Sequence, residues 1–110
     1  MSEFIPVVVL STCGDLETAE RIATHLVDSR LAACVNLVPQ IKSFYHWQGK
    51  LEQSSEALLV IKTSKEKLTV IEQAVKKLSG YEVPESIALE ITAGSQDYLS
   101  WLEHELSKEN

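Results

Sequence analysis

The stretch Arg30 to Thr63, RLAACVNLVPQIKSFYHWQGKLEQSSEALLVIKT, decides how this chain folds. Ala32 to His46 is rich in β-branched and aromatic residues, Trp47-Gln48-Gly49-Lys50 offers a turn with a glycine, and Leu51 to Thr63 runs back as a second strand. The pattern predicts one oversized β-hairpin. Its first arm, at ~3.3 Å per residue, would span roughly 50 Å, whereas a compact domain of this length has a radius of gyration of only ~13 Å. Part of the hairpin must therefore leave the globule. Pro39 in mid-run has no N–H for a ladder hydrogen bond, which predicts an edge strand, a bulge or both. The distal part carries Ile41, Phe44, Tyr45 and Trp47, more apolar surface than a soluble monomer leaves in water, so a second copy of the chain is expected to cover it.

Upstream, Ile5 to Cys13 is nearly all aliphatic and reads as a central strand buried on both faces. Gly14-Asp15 breaks it, and Asp15 is placed to cap a helix to about Ser29, with Leu16, Ala19, Ile22, Ala23, Leu26 and Val27 at helical spacing. Downstream, Thr63 and Glu66 have the spacing of a capping box, and Leu68, Ile71, Val75 and Leu78 make the apolar stripe of a second helix that ends at Gly80. Tyr81-Glu82-Val83-Pro84 is an extended connection, since the residue before proline is pushed out of the helical region. Ser86 to Ala93 is the last strand, Gly94-Ser95 a turn, and Gln96 to about Ser107 a third helix with Tyr98, Leu102 and Leu106 on one side.

The order β-α-β-β-α-β plus a terminal helix predicts an α+β, ferredoxin-like sandwich with helices on one face of an antiparallel sheet, a single domain over residues 1–110. In that topology the first and third strands are central and the overlong second strand lies on an edge. Cys13 and Cys34 are then roughly 10 Å apart with the third strand between them, beyond the ~7 Å limit for a disulfide.

Ten Lys plus Arg against 16 Asp plus Glu give a net charge of −6, and the basic residues are scattered, which argues against a nucleic-acid or anionic-membrane partner. The start MSEFIPVVVL has no basic n-region and too short an apolar run for a signal peptide or membrane span. Two cysteines without an export signal read as reduced cytosolic thiols. Enzymatic readings find little support. Four glycines, at 14, 49, 80 and 94, form no phosphate-cradling loop. An acylphosphatase of this topology wants an arginine in the loop after the first strand, where this chain has Ser11-Thr12-Cys13-Gly14-Asp15. An RNA-recognition module would show aromatics on central strands that are here aliphatic.

Five strings, Ser29–Pro39 (SRLAACVNLVP), Ser43–Glu52 (SFYHWQGKLE), Glu56–Thr63 (EALLVIKT), Tyr81–Glu85 (YEVPE) and Asp97–Leu102 (DYLSWL), resemble the CutA1 divalent-cation tolerance family, in register from about Val7 to Leu102. The resemblance implies a ferredoxin-like protomer, a homotrimer joined through the long strands, a cytoplasmic location and a link to tolerance of copper and other divalent ions. Family members proposed to bind copper use a cysteine on the first strand and histidines just before the Tyr-x-x-Pro-Glu string. Here those positions hold Ser11, two residues before Cys13, and Leu78-Ser79-Gly80. The trimer carries over; the metal site does not.

Among soft ligands, Cys13, Cys34, His25, His46 and His104, none forms a pair at recognised metal spacing. Cys13, ending a strand just before a helix N-terminus that favours a thiolate, is the candidate for a weak Cu(II) or other divalent site; no cofactor is required. A second, polar constellation comprises Asn36, Lys62, Tyr81, Glu82 and Glu85, able to hold a small anion or a metal or to form an interfacial salt bridge. The aromatic residues Phe44, Tyr45 and Trp47 of the arm, with Tyr98 and Trp101 of the terminal helix, are the expected trimer interface. The reading is thus a non-enzymatic cytosolic trimer tied to divalent-cation tolerance, the alternative being a trimeric small-ligand sensor or scaffold with its pocket between subunits.

Overall fold

The computed structural model describes residues 3–108. Strands β1 (Pro6–Cys13), β2 (Cys34–Trp47), β3 (Lys50–Ser64) and β4 (Ile87–Glu90) form one antiparallel sheet in the order β2-β3-β1-β4. Helix α1 (Leu16–Asp28) joins β1 to β2, α2 (Leu68–Ser79) joins β3 to β4, and α3 (Gln96–Ser107) follows. This is the ferredoxin-like α+β arrangement, with the long hairpin at the edge as expected.

Alternation along the strands sorts side chains onto two faces. Val7, Val9 and Cys13 of β1 and Ala57, Leu59 and Ile61 of β3 point one way and are sealed by Ala19, Ile22 and Leu26 of α1 and by Ile71 and Val75 of α2. Each fully buried Leu, Ile or Val there stabilises the fold by about 1.5–3 kcal/mol. Val8, Leu10, Val60 and Lys62 point the other way, and the ladder register sets Cys34, Asn36 and Val38 of β2 and Ile87 and Leu89 of β4 beside them. Of the helices among the described residues, α3 is the one on this second face, where the Lys62 ammonium lies 5.8 Å from the Tyr98 ring centre. The expectation of helices on one face thus holds for α1 and α2 but not for α3.

The turn at Gln48-Gly49 has φ of 52° and 81°, the left-handed pair that a two-residue type I′ hairpin needs to match the strand twist. Farther down, Val38 pairs with Leu58 and Ile41 with Glu56, so Pro39 and Gln40 together oppose the single residue Ala57. This bulge reverses the phase of β2. Asn36 and Val38 face the open side before it, and Ile41, Ser43, Tyr45 and Trp47 face that side after it. The arm lengthens the molecule to 47 × 28 × 23 Å and raises the radius of gyration to 14.6 Å.

Asp15 caps α1 as expected: its carboxylate accepts from Thr18 N (2.7 Å) and from Thr18 Oγ1 (3.1 Å), which holds it below the usual carboxylate range. Gly80 ends α2 in the left-handed region, φ 77°. The capping box does not form. Thr63 lies in β3, fully buried, and its hydroxyl donates to the Leu31 carbonyl (2.6 Å), while a 3₁₀ turn, Lys65–Lys67, leads into α2. A strand extended past Thr63 turns its hydroxyl into a tie between β3 and the segment that leads from α1 to β2. The last strand is four residues rather than Ser86 to Ala93. Ile91 N donates to the Pro6 carbonyl (3.0 Å), but Pro6 has no N–H to return, so the ladder stops. Both cysteines are free, on strands separated by β3.

Candidate functional site

Where the arm leaves the globule, residues of β1, the arm of β2, β3 and the segment after α2 line a cavity of about 430 Å³. Glu56, the last β3 residue before the arm on the open side of the sheet, sits at its base and is only 8% exposed. The Tyr81 hydroxyl donates to Glu56 Oε2 at 2.6 Å. Burial and this bond to an acceptor of negative charge push the Tyr81 phenol well above its ordinary pKa. The segment carrying Tyr81 is fixed at its other end by Ser11, whose buried hydroxyl donates to the Glu85 carbonyl (2.8 Å). Pro84 between them keeps the backbone extended. Tyr81 lies against Gly14, where an added Cβ would meet its hydroxyl at 3.5 Å. Glu85 is pushed up by burial and by the nearby Glu56 charge. Glu82, Val83, Thr12 and Ser43 complete the lining with Phe44, Tyr45 and Trp47 of the arm.

The polar constellation expected from the sequence divides. Tyr81, Glu82 and Glu85 come together, but Asn36 and Lys62 do not join them. Lys62 is six residues from Glu56 along β3, roughly 20 Å at strand rise, and its ammonium lies against Tyr98. Asn36 pairs with Val60 in the ladder and has the Cys34 thiol 3.9 Å from its Oδ1. The residue the sequence reading lacked is Glu56. Its signal was present: a glutamate immediately before the aliphatic run ALLVI is a charge at the last position where the strand still belongs to the core.

Cys13 does not sit as a thiolate would. It is fully buried on the helix-covered face, its thiol is 3.5 Å from the Asp15 carbonyl, and burial is the main cause that pushes its pKa up. The helix N-terminus that should have favoured the charge is outweighed by loss of solvent. His25, His46 and His104 are exposed and apart from it, and no three His, Cys, Asp or Glu side chains among the described residues converge as metal ligands. Ser11, at the position of the family's cysteine, spends its side chain tying Glu85. These residues do not fit a preformed copper centre. Among the described residues no helix is long and apolar enough to cross a membrane.

The five aromatic residues expected at an interface are all partly open: Phe44 64%, Tyr45 42%, Trp47 43%, Tyr98 40% and Trp101 43% exposed. Tyr98 and Trp101 stack with ring centres 5.5 Å apart.

A four-stranded ferredoxin-like sheet with a projecting hairpin, a third helix on its otherwise open face and an acidic cavity at the arm root defines the structural class. The family model described as CutA1 divalent ion tolerance protein matches residues 7–105, and the chain belongs to that family. The "Divalent-cation tolerance protein CutA" of Thermus thermophilus is 46% identical over 95 residues, 86% of this chain and 92% of that protein. "Protein CutA, chloroplastic" of Arabidopsis thaliana is 44% identical over 104 residues, 94% of this chain; the match spans 57% of the plant protein. The crystal structure of CutA from Xylella fastidiosa superposes with a TM-score of 0.90 at 39% identity, covering 93% of this chain and 98% of that one.

Proposed function

We propose that this chain acts as a cytosolic homotrimer in tolerance of divalent cations, copper among them, without catalysing a reaction and without a required cofactor. Membership of a family named for divalent-cation tolerance carries the reading. Assembly is supported by the surface. Val38, Ile87 and Leu89 on the open sheet face are 42–54% exposed, as are the arm aromatics Tyr45 and Trp47 in similar measure. A surface of that kind is normally covered by another chain, and the arm of one copy reaching a different patch, with Tyr98 and Trp101 as its receivers, makes a head-to-tail contact that must close into a ring. The number three comes from the family resemblance.

Cu(II) is expected to bind weakly, because a buried, protonated thiol and separated carboxylates are a poor set for a metal that prefers nitrogen and sulfur in fixed geometry. Two measurements test the proposal. Sedimentation at micromolar concentration should give three times the 12.3 kDa chain mass, and a single-chain mass would sink the assembly. A strain without the protein should grow worse than its parent in elevated copper or zinc, and equal growth would sink the tolerance role. The second reading, a trimeric small-ligand sensor or scaffold with its pocket between subunits, draws support from one observation, a cavity at the arm root beside Tyr45 and Trp47 of the proposed contact.

A further inference from the structure

The cavity at the arm root is acidic and aromatic at once, and no Lys, Arg or His lines it. Glu56 is more than nine-tenths buried, yet no cation pairs with it among the described residues. Among the described residues its one side-chain hydrogen bond comes from Tyr81, to Oε2; Oε1 has no donor among them and is not sealed from the cavity. Glu85 stands close enough to feel the Glu56 charge. A nearly buried carboxylate in a cavity lined by two further, more open ones, with no counter-charge among the described residues, is an unfavourable arrangement that a positive guest relieves.

The chemistry of the guest follows from the walls. A bare divalent ion is a poor fit, because hard cations gather six or more oxygens at about 2.0–2.6 Å and, although Glu56, Glu82 and Glu85 all line the cavity, no three carboxylate, His or Cys groups among the described residues are close enough together to hold one. Tyr45 and Trp47 supply ring faces of the kind that attract an ammonium within about 6 Å. The volume falls in the range of small-molecule sites. We infer that the arm-root cavity is a binding site for a small organic cation, an amine or alkylammonium with a short apolar body, its charge held by Glu56 and Glu85 and its body set against Tyr45 and Trp47. The sign is opposite to the anion that a lysine in the constellation would have suggested, because Lys62 is not there. Tyr45 and Trp47 also belong to the proposed subunit contact, so the inference requires that their ring faces toward the cavity stay uncovered when the arm meets a neighbouring copy.

The test uses the full chain and two probes of similar shape, benzyltrimethylammonium and benzylsulfonate, titrated by calorimetry. The cation is expected to bind with a Kd below about 1 mM, and the sulfonate to give no binding heat. Glu56→Gln keeps an acceptor for the Tyr81 hydroxyl and should weaken the cation about tenfold or more, in line with a charge-assisted contact. Glu85→Gln should weaken it less, and Trp47→Leu by between about twofold and thirtyfold, the span of a single cation–π contact. Equal heats for cation and sulfonate, no cation binding at millimolar concentration, or wild-type affinity in both Gln variants overturns the inference. Sedimentation of the same samples keeps the two proposals apart: cation binding by a single-chain species supports this site and sinks the trimer, and a trimer that does not bind the cation does the reverse.

Discussion

The two faces of one sheet have opposite fates in this molecule. On the helix-covered face Val9, Leu59 and Ile61 have no exposure at all, whereas on the other face and along the arm Val38, Trp47, Leu89 and Phe44 keep 42–64% of theirs. Both faces are built from the same strands with similar residues, so hydrophobicity alone did not decide which would be covered. The covering elements did. Helices α1 and α2 are both crossover connections and fall on the same side, leaving α3 as the one helix on the other among the described residues. A face of this kind, apolar and roofed only in part, is the surface that the proposed trimer would cover.

Truncation on each face should separate the two. Leu59→Ala opens a cavity in a sealed core and is expected to lower stability by about 2–5 kcal/mol, with a melting temperature that falls equally at all protein concentrations if the subunit contacts are untouched. Tyr45→Ala with Trp47→Ala removes side chains already half covered, so the loss should be roughly 2–3 kcal/mol per chain. Its signature is a melting temperature that depends on protein concentration. Should the double variant match wild type in both respects, the open face would not be an interface.

Tyr81→Phe probes the seam between the faces. It removes a hydroxyl that donates to a nearly buried carboxylate and should cost about 1–3 kcal/mol by thermal or urea unfolding, with Glu56 left more exposed to a cation. A neutral result would mean that water replaces the phenol without loss.

Glu85→Gln should give the smallest change, and one of opposite sign. The folded pKa of Glu85 is raised above its ordinary 4.5, so the folded state binds its proton more tightly than the unfolded state does. The associated stability is fully present below pH 4.5 and is lost as pH rises through the raised folded value. At neutral pH the variant should melt higher than wild type, and its stability should fall less as pH rises across that window. Equal pH profiles would show that Glu85 is better solvated than its surroundings imply. Thiol titration sharpens the same contrast: Cys13, sealed on the closed face, should react only on unfolding, so that no more than one thiol per chain reacts quickly in the native protein and both react in denaturant. Two fast thiols would contradict that seal.

Much of the architecture was legible because it is written in local periods. The two-residue alternation of the hairpin, the helical spacing of Leu68 to Leu78, the Asp15 cap, the Gly49 turn and the Gly80 terminus each depend on neighbours a few positions away. Thr63 and Glu66 were misleading for the same reason, since their spacing suits a cap but the ladder with β1 carries the strand past Thr63 to Ser64. What only the tertiary structure decided is register. Two residues opposing one at Pro39-Gln40 shift the phase of the whole arm, and the bond from Tyr81 to Glu56 anchors the Tyr81–Glu85 segment six residues along β3 from Lys62, separating that lysine from the glutamates the sequence grouped it with. The sequence by itself determined the elements and their order. The company each side chain keeps was settled by pairings between residues far apart in the chain, as when the Ser11 hydroxyl fixes Glu85 and the Tyr81 hydroxyl meets Glu56, because strand register is a sum of long-range contacts that no local pattern encodes.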